Sequence, residues 1–418
     1  MKLQYKIDDK LPVGQMFIYA LQWFILSVAV ISTSVFVAQG SPAERLFFAQ
    51  KLFAVTGIAG VVQVLFGHRM PLVVGPASVL LVGVLSSLSA GASVSAIYTS
   101  IAIGGALILL LSFGGMMNKV RKLFTPRIVV VILMLIAFTL APVIKNLIFP
   151  ERATSQEHIF GLIFTLVGCV GMVTLNRTLK GVAKSLVVPI ALIIGSAAYY
   201  ALFPMNEGVE TVGLFGGKLL NDFSFDWGLL IAFIICYIAL LINDIGSIES
   251  LGVMLDAKDM GGRLKRGVRI TGAMNIVAGS MGVLGPVNYS MSPGVIASTG
   301  CASRWALLPA TLLLVICSLF PDVIFILTSI PNQVIGVILL FLMGTQLSAG
   351  LEMAASTKSI GSFSGALTIS LPIMVALLFQ LMPRGIVPSV IEPLVGNGFA
   401  MGVITVLVME HLINRTNE

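Results

Sequence analysis

Two carboxylates, Asp244 and Glu249, stand inside a long apolar run, WGLLIAFIICYIALLINDIGSIESLG, from Trp227 to Gly252. A charge at membrane depth is costly, so an acid held there faces a cavity, a partner or a transported ligand, or passes a proton. Glu249 has small neighbours on its own helical stripe, with Gly246 three residues back and Gly252 and Val253 ahead, which clears room beside the carboxylate. Its chemistry is that of a hydrogen-bond acceptor for a polar ligand and of a proton carrier. Asp244 lies five residues away, off the face of Glu249, and is the second candidate for proton coupling. In the competing reading the helix ends early and Glu249 is a solvated residue at its cytoplasmic end. The stretch by itself leaves both readings open.

The rest of the chain places these acids in a membrane. Of 418 residues, 57% are apolar and 10% charged, and the mean hydropathy is +1.03. Soluble domains carry about 25% charged residues, so the composition is that of a polytopic, all-α membrane protein. The first ten residues lead into an apolar run too long for a signal-peptide core, with no small-residue cleavage site after it. They read as a cytoplasmic lead-in to a retained span. Cys169, Cys236, Cys301 and Cys317 are scattered without metal or redox spacing and read as small apolar residues.

Apolar runs long enough to span lie near 14–38, 47–67, 71–88, 94–116, 127–148, 158–176, 185–203, 227–252, 270–285, 287–300, 305–329, 331–350, 361–382 and 393–413, about fourteen in all. With a cytoplasmic N-terminus, only Arg45, Lys51, Lys145, Arg152, Lys218 and Arg384 of the 25 basic residues fall outside. That bias follows the positive-inside rule and puts both termini in the cytoplasm. The net charge of +7 then reflects topology rather than an acidic partner, and nucleic-acid binding has no other support.

Two of the runs are broken. The third carries Gly75-Pro76 and the tenth carries Pro293-Gly294. Each break frees backbone groups, which membrane depth tolerates only where the chain is buried in protein or lines a cavity. The breaks are seven spans apart in a chain of about fourteen, as in two inverted halves of seven. Paired interruptions of this kind point to a transporter's binding site. A half-helix starting near Gly294, and another around Ala77 and Ser78, would aim N–H groups and positive dipole ends at a ligand lying beside Glu249. A planar heterocycle with alternating N–H and C=O edges suits this set, giving protons to Glu249 and taking them from backbone N–H groups. Asn288, Ser290, Ser292 and Thr299 are further hydrogen-bonding candidates. No catalytic or metal pattern appears: His68, His158 and His411 are far apart at predicted span ends, and the Gly pairs lack a phosphate loop's Lys. No cofactor and no enzymatic activity are expected.

At these residues the chain resembles the nucleobase–ascorbate transporter family, also called nucleobase:cation symporters or xanthine/uracil permeases. SIESLG (Ser247–Gly252) is similar to the family's eighth-span motif, and RGVRITGAMNIVAGSMGVLGPVNYSMSPGVIASTGCASR (Arg266–Arg304) to its ninth-to-tenth-span signature. ALQWF (Ala20–Phe24) is similar to the Gln-containing first-span motif. The resemblance implies that Glu249 binds the nucleobase. It further implies ligand contacts at the positions of Trp23, Met291, Ser292, Gly294 and Thr299, with Gly75, Ala77 and Ser78 at the third-span break. It also implies fourteen segments in two inverted sevens, with a core domain at 1–126 and 227–329 and a gate domain at 127–226 and 330–418. A homodimer coupled to H+ or Na+ in a bacterial inner membrane is the expected setting. Met291 and Ser292 replace the family's usual Gln or Glu and Asn, Val253 replaces an Asp, and Trp23 replaces a His common in bacterial members. The functional expectation is nucleobase import by proton symport with an elevator-type movement. A small-anion transporter of the same fold and a non-transporting membrane sensor are the alternatives.

Overall fold

The computed structural model describes residues 3–32, 34–89, 91–113, 125–151, 153–180, 187–204, 217–289, 292–383, 385–388, 395–396 and 398–413. Among them the chain forms sixteen helices. They are α1 (Val13–Ser32), α2 (Pro42–Leu65), α3 (Ser78–Ser89), α4 (Val94–Leu111), α5 (Pro126–Thr139), α6 (Ala141–Ile148), α7 (Ser155–Thr178) and α8 (Val187–Leu202). The second half holds α9 (Trp227–Met254), α10 (Met260–Ser280), α11 (Ser292–Thr299), α12 (Leu308–Ser318), α13 (Pro321–Thr328), α14 (Asn332–Ser356), α15 (Phe363–Gln380) and α16 (Gly398–Val408). The α5/α6 pair abuts at Leu140 and the α12/α13 pair is bent by 112°, so each fills one apolar run and fourteen segments result. Eight of the described helices are individually long and apolar enough to cross a membrane. The chain is a multi-pass membrane protein.

Local chemistry sets the helix starts. Ser41 and Glu44 form a capping box with Pro42 in the first turn of α2, and Thr154 and Glu157 form another on α7. The ninth segment departs from expectation: α10 begins at Met260, ten residues before the apolar run at 270. Asp259 caps it, in the left-handed region at φ 55°, and Arg263, Lys265, Arg266 and Arg269 lie within the helix. Hydropathy alone reads such a basic end as loop, although Lys and Arg are good helix formers.

Two short strands replace helix at the broken segments. β1 (Val74–Pro76) pairs antiparallel with β2 (Pro286–Asn288), in the register Val74–Asn288, Gly75–Val287 and Pro76–Pro286. Bonds beyond the strands extend the ladder: Tyr289 N–H donates to the Val73 carbonyl at 2.8 Å and Ala77 N–H to the Gly285 carbonyl at 2.9 Å. The freed backbone of each break is thus satisfied largely by the other, as a membrane interior requires. In the tenth segment the interruption lies before Pro293-Gly294. Helix α11 starts at Ser292, so Pro293 occupies the first turn, where its missing N–H costs nothing.

The inverted relation is visible in the packing. The two most extensive helix contacts are α4 with α10 and α2 with α12, the fourth segment on the ninth and the second on the eleventh. Exchanging the halves turns one pair into the other. Both are glycine-mediated close approaches: a Cβ on Gly279 would lie 2.4 Å from Ala102 N, and one on Gly57 2.9 Å from the Thr311 carbonyl oxygen. Helices α5, α6, α7, α8, α14, α15 and α16 pack on one another and meet the remainder mainly through α1–α8, α9–α16 and α5–α9. Helix α7 leaves Leu166, Val167 and Val170 exposed, as a lipid-facing helix does.

Candidate functional site

Helix α9 crosses the β1/β2 ladder at Asp244. This side chain is wholly buried, and its Oδ1 accepts from Asn288 twice, from the backbone N–H at 3.1 Å and from Nδ2 at 2.7 Å. Asn288 Oδ1 in turn faces His68 Nε2 at 3.0 Å, while His68 Nδ1 accepts the Met70 N–H at 3.0 Å. Because a backbone N–H can only donate, Nδ1 is the acceptor and the proton of the neutral ring sits on Nε2, aimed at Asn288. His68, set at a span end by hydropathy, is therefore buried in the polar centre of the fold. Gln63 Nε2 donates to the Gly267 carbonyl at 2.9 Å and to Thr271 Oγ1 at 3.1 Å, and Arg263 caps the His68 and Arg69 carbonyls at 2.8 and 2.7 Å. The network ties the end of α2, the start of α10, α9 and β2 together.

Glu249 lies C-terminal to this crossing, in the part of α9 that continues unbroken to Met254, and is half-buried. The early-ending helix is thereby ruled out. Of the small neighbours predicted to clear space, Gly246 does so, since a Cβ there would meet nothing within 4 Å. Gly252 does not: the Met260 side chain fills its face, 2.1 Å from where a Cβ would stand.

The other expected ligand residues divide. Ala77 is buried and its N–H is engaged by Gly285, which leaves Ser78, at the start of α3, as the end of that break open to a cavity. A Cβ at Gly75 would stand 2.6 Å from the Tyr289 ring, and the Tyr289 hydroxyl donates to the Pro76 carbonyl, so Gly75 admits an aromatic ring across the strand. Ser292 is fully buried, its hydroxyl accepting the Val73 N–H at 2.9 Å and donating to the Tyr289 carbonyl at 3.2 Å. It works as a clamp between the two breaks. Thr299 closes the far end of α11, bonding the Val295 carbonyl at 2.9 Å and accepting the Cys301 N–H at 3.2 Å. Trp23 is buried in α1 beside an equally buried Gln22. Gly294 lies within the first turns of α11. Met291 and Ser290 fall outside the described residues.

A narrow cleft opens from the crossing toward the second helix group. It is lined by Ser34, Ser78, Asn243, Tyr289 and, from α14, Gln346, with apolar walls from α3, α5 and α14. Its free volume is ≈ 20 Å³, room for a water molecule, whereas small-molecule sites measure about 300–1,000 Å³. The two helix groups lie against one another here. Sequence reasoning passed over Asn243 and Gln346. A polar residue in an apolar run was the available signal for each, but only the packing shows which ones reach a cleft.

A model described as a permease family, for xanthine and uracil permeases, matches residues 14–385. The chain belongs to the xanthine/uracil permease family. Among similar proteins is the xanthine permease XanP of Escherichia coli strain K12, 24% identical over 437 residues, an alignment covering 98% of this chain and 94% of that protein. The uric acid permease PucJ of Bacillus subtilis strain 168 is 25% identical, with 84% and 81% covered. The fold is shared with the transmembrane domain of the cyanobacterial bicarbonate transporter BicA, at a TM-score of 0.63 and 16% identity over 90% of this chain and 98% of that one. It is shared also with the murine anion transporter Slc26a9 in its inward-facing state, at 0.61 and 14% over 99% and 70%. Membership of that family makes this chain a membrane permease.

Proposed function

We propose that the chain imports a purine or pyrimidine base as a secondary active transporter coupled to protons, with Na+ as the alternative coupling ion. The observation that carries this reading is the half-buried Glu249 beside the open face of Gly246, next to the point where the two broken segments cross. A base can donate its N–H edge to that carboxylate there and find further partners at the ends of α3 and α11, so that no polar edge stays unpaired on leaving water. Relatives named for xanthine, uric acid and nucleobases support the same ligand class. Glu249 binds the base, and Glu249 or Asp244 carries the proton. The core (1–126 and 227–329) moves as an elevator against the gate (127–226 and 330–418). The protein works as a homodimer in a bacterial inner membrane with both termini cytoplasmic.

The fold neighbours that carry anions favour a second reading, a small-anion transporter. Two carboxylates at the crossing weigh against it, since both repel an anion. Uptake of labelled bases by cells or proteoliposomes expressing wild type and Glu249→Gln separates the readings. The expected result is base uptake in the wild type and its loss, at least tenfold, in the variant; near-normal uptake by the variant overturns the assignment. Thermal stabilisation by bicarbonate or sulfate with none by any base would establish the anion reading instead.

A further inference from the structure

Asn243 stands one helical turn before Gly246 and two before Glu249, so the three form a slanted i, i+3, i+6 ridge on α9 rising about 9 Å. The middle position has no side chain and opens onto empty space. Asn243 at the outer end of the ridge is half-buried, lines the cleft against α14 and makes no side-chain hydrogen bond among the described residues. An amide left in an apolar wall at membrane depth is costly unless a ligand or water meets it. Its neighbours do not hold it for structural reasons: Asp244 turns to the other face of α9 and bonds Asn288. Across the cleft, Gln346 is held rigid by donation from Nε2 to the Leu133 carbonyl at 3.2 Å.

We propose that Asn243 is a specificity-determining residue: it holds the ring edge opposite to the edge bound by Glu249, with the base lying across Gly246. This rests on the transport reading above and adds a second polar end to the site. An amide carries its donor and its acceptor on two separate atoms, so it pairs a C=O beside an N–H on one ring edge with two parallel hydrogen bonds; the hydroxyl of Ser78 has a single oxygen for both roles, and an ionised carboxylate has no donor. A site built to pair such an edge rejects analogues that lack it, because its own amide would then stay unpaired in an apolar wall.

The test is competition of labelled-base uptake by a panel of bases and analogues, each lacking one exocyclic oxygen or ring N–H, in wild type and Asn243→Leu. Asn243→Leu is expected to weaken the preferred base at least tenfold while leaving the analogue that lacks the facing group unchanged, so that discrimination between the two collapses. Equal weakening of every compound, or an unaltered panel, overturns the proposal. Gly246→Val provides a second variant, whose Cβ meets nothing within 4 Å, and it should lose every base with apparent Tm retained. Unimpaired uptake in Gly246→Val overturns the placement of the ring. If Glu249→Gln abolishes uptake while Asn243→Leu matches wild type, this proposal fails alone. If the wild type takes up no base, the transport reading fails first.

Discussion

Replacing Asn288 with leucine probes the polar centre without changing side-chain size greatly. The substitution keeps the backbone N–H that reaches Asp244 Oδ1 at 3.1 Å but deletes the 2.7 Å donor from Nδ2 and the acceptor facing His68 Nε2 at 3.0 Å. Loss of a hydrogen bond to a charged group costs about 1.5–3 kcal/mol, and stranding a buried donor such as the His68 N–H costs about 1–3 kcal/mol. The two effects share one network and do not add fully, so about 3–4 kcal/mol is expected. With an unfolding entropy of roughly 2.1 cal/mol/K per residue, that is a drop of about 4 °C in apparent Tm, and more if the unfolded state keeps its helices. The assay is thermal unfolding of the purified protein for wild type, Asp244→Asn, Asn288→Leu and the double variant. The double variant should be less destabilised than the sum of the singles by about 1–2 kcal/mol, because the charge that Asn288 serves is already gone. Additivity within about 0.5 kcal/mol, or an unshifted Asn288→Leu, would refute the claim that Asp244 and Asn288 act as one unit.

Other substitutions separate structural from ligand roles. Ser292→Ala should lower stability by about 1–3 kcal/mol by orphaning the buried Val73 N–H, with base affinity in the surviving folded protein unchanged; selective loss of affinity would restore Ser292 to the ligand shell. Gly279→Leu should prevent α4 and α10 from meeting, since a Cβ alone would already stand 2.4 Å from Ala102 N, and expression with size-exclusion analysis reads the outcome. Removing residues 1–9 should destabilise the C-terminal end of α11. The N-terminal stretch gives Ala302 and Arg304 their N–H acceptors at 2.9 Å each, and Asp8 pairs Arg304 at 2.7 Å. At about 1 kcal/mol per hydrogen bond, a loss of roughly 2–3 kcal/mol should appear as a lower apparent Tm, and an unchanged Tm would show the strap to be dispensable.

What the chain determined on its own is what can be read locally along it. Membrane insertion follows from apolar runs, the expected orientation from Lys and Arg placement, and the two irregular segments from Pro and Gly, each a property of a short window. Glu249 also stood out locally, as an acid among apolar residues with Gly246 beside it. Pairing of the two breaks lay beyond any window: β1 and β2 are more than 200 residues apart, and the antiparallel register arises because each supplies the hydrogen bonds the other lacks in a medium without water. The same long-range demand turned Ser292 into a clamp and engaged the Ala77 N–H, two groups the local reading had offered to the ligand. It also drew Asp244, Asn288 and His68 into one network. Start points shifted where local bonding overrode hydropathy, at Asp259, which caps α10, and at Ser292, whose hydroxyl is held by Val73 and Tyr289. Which faces stay open was decided by neighbours alone, Met260 filling the space at Gly252 while nothing fills that at Gly246. A free face depends on every helix packed around it, and that is fixed only when the whole bundle closes.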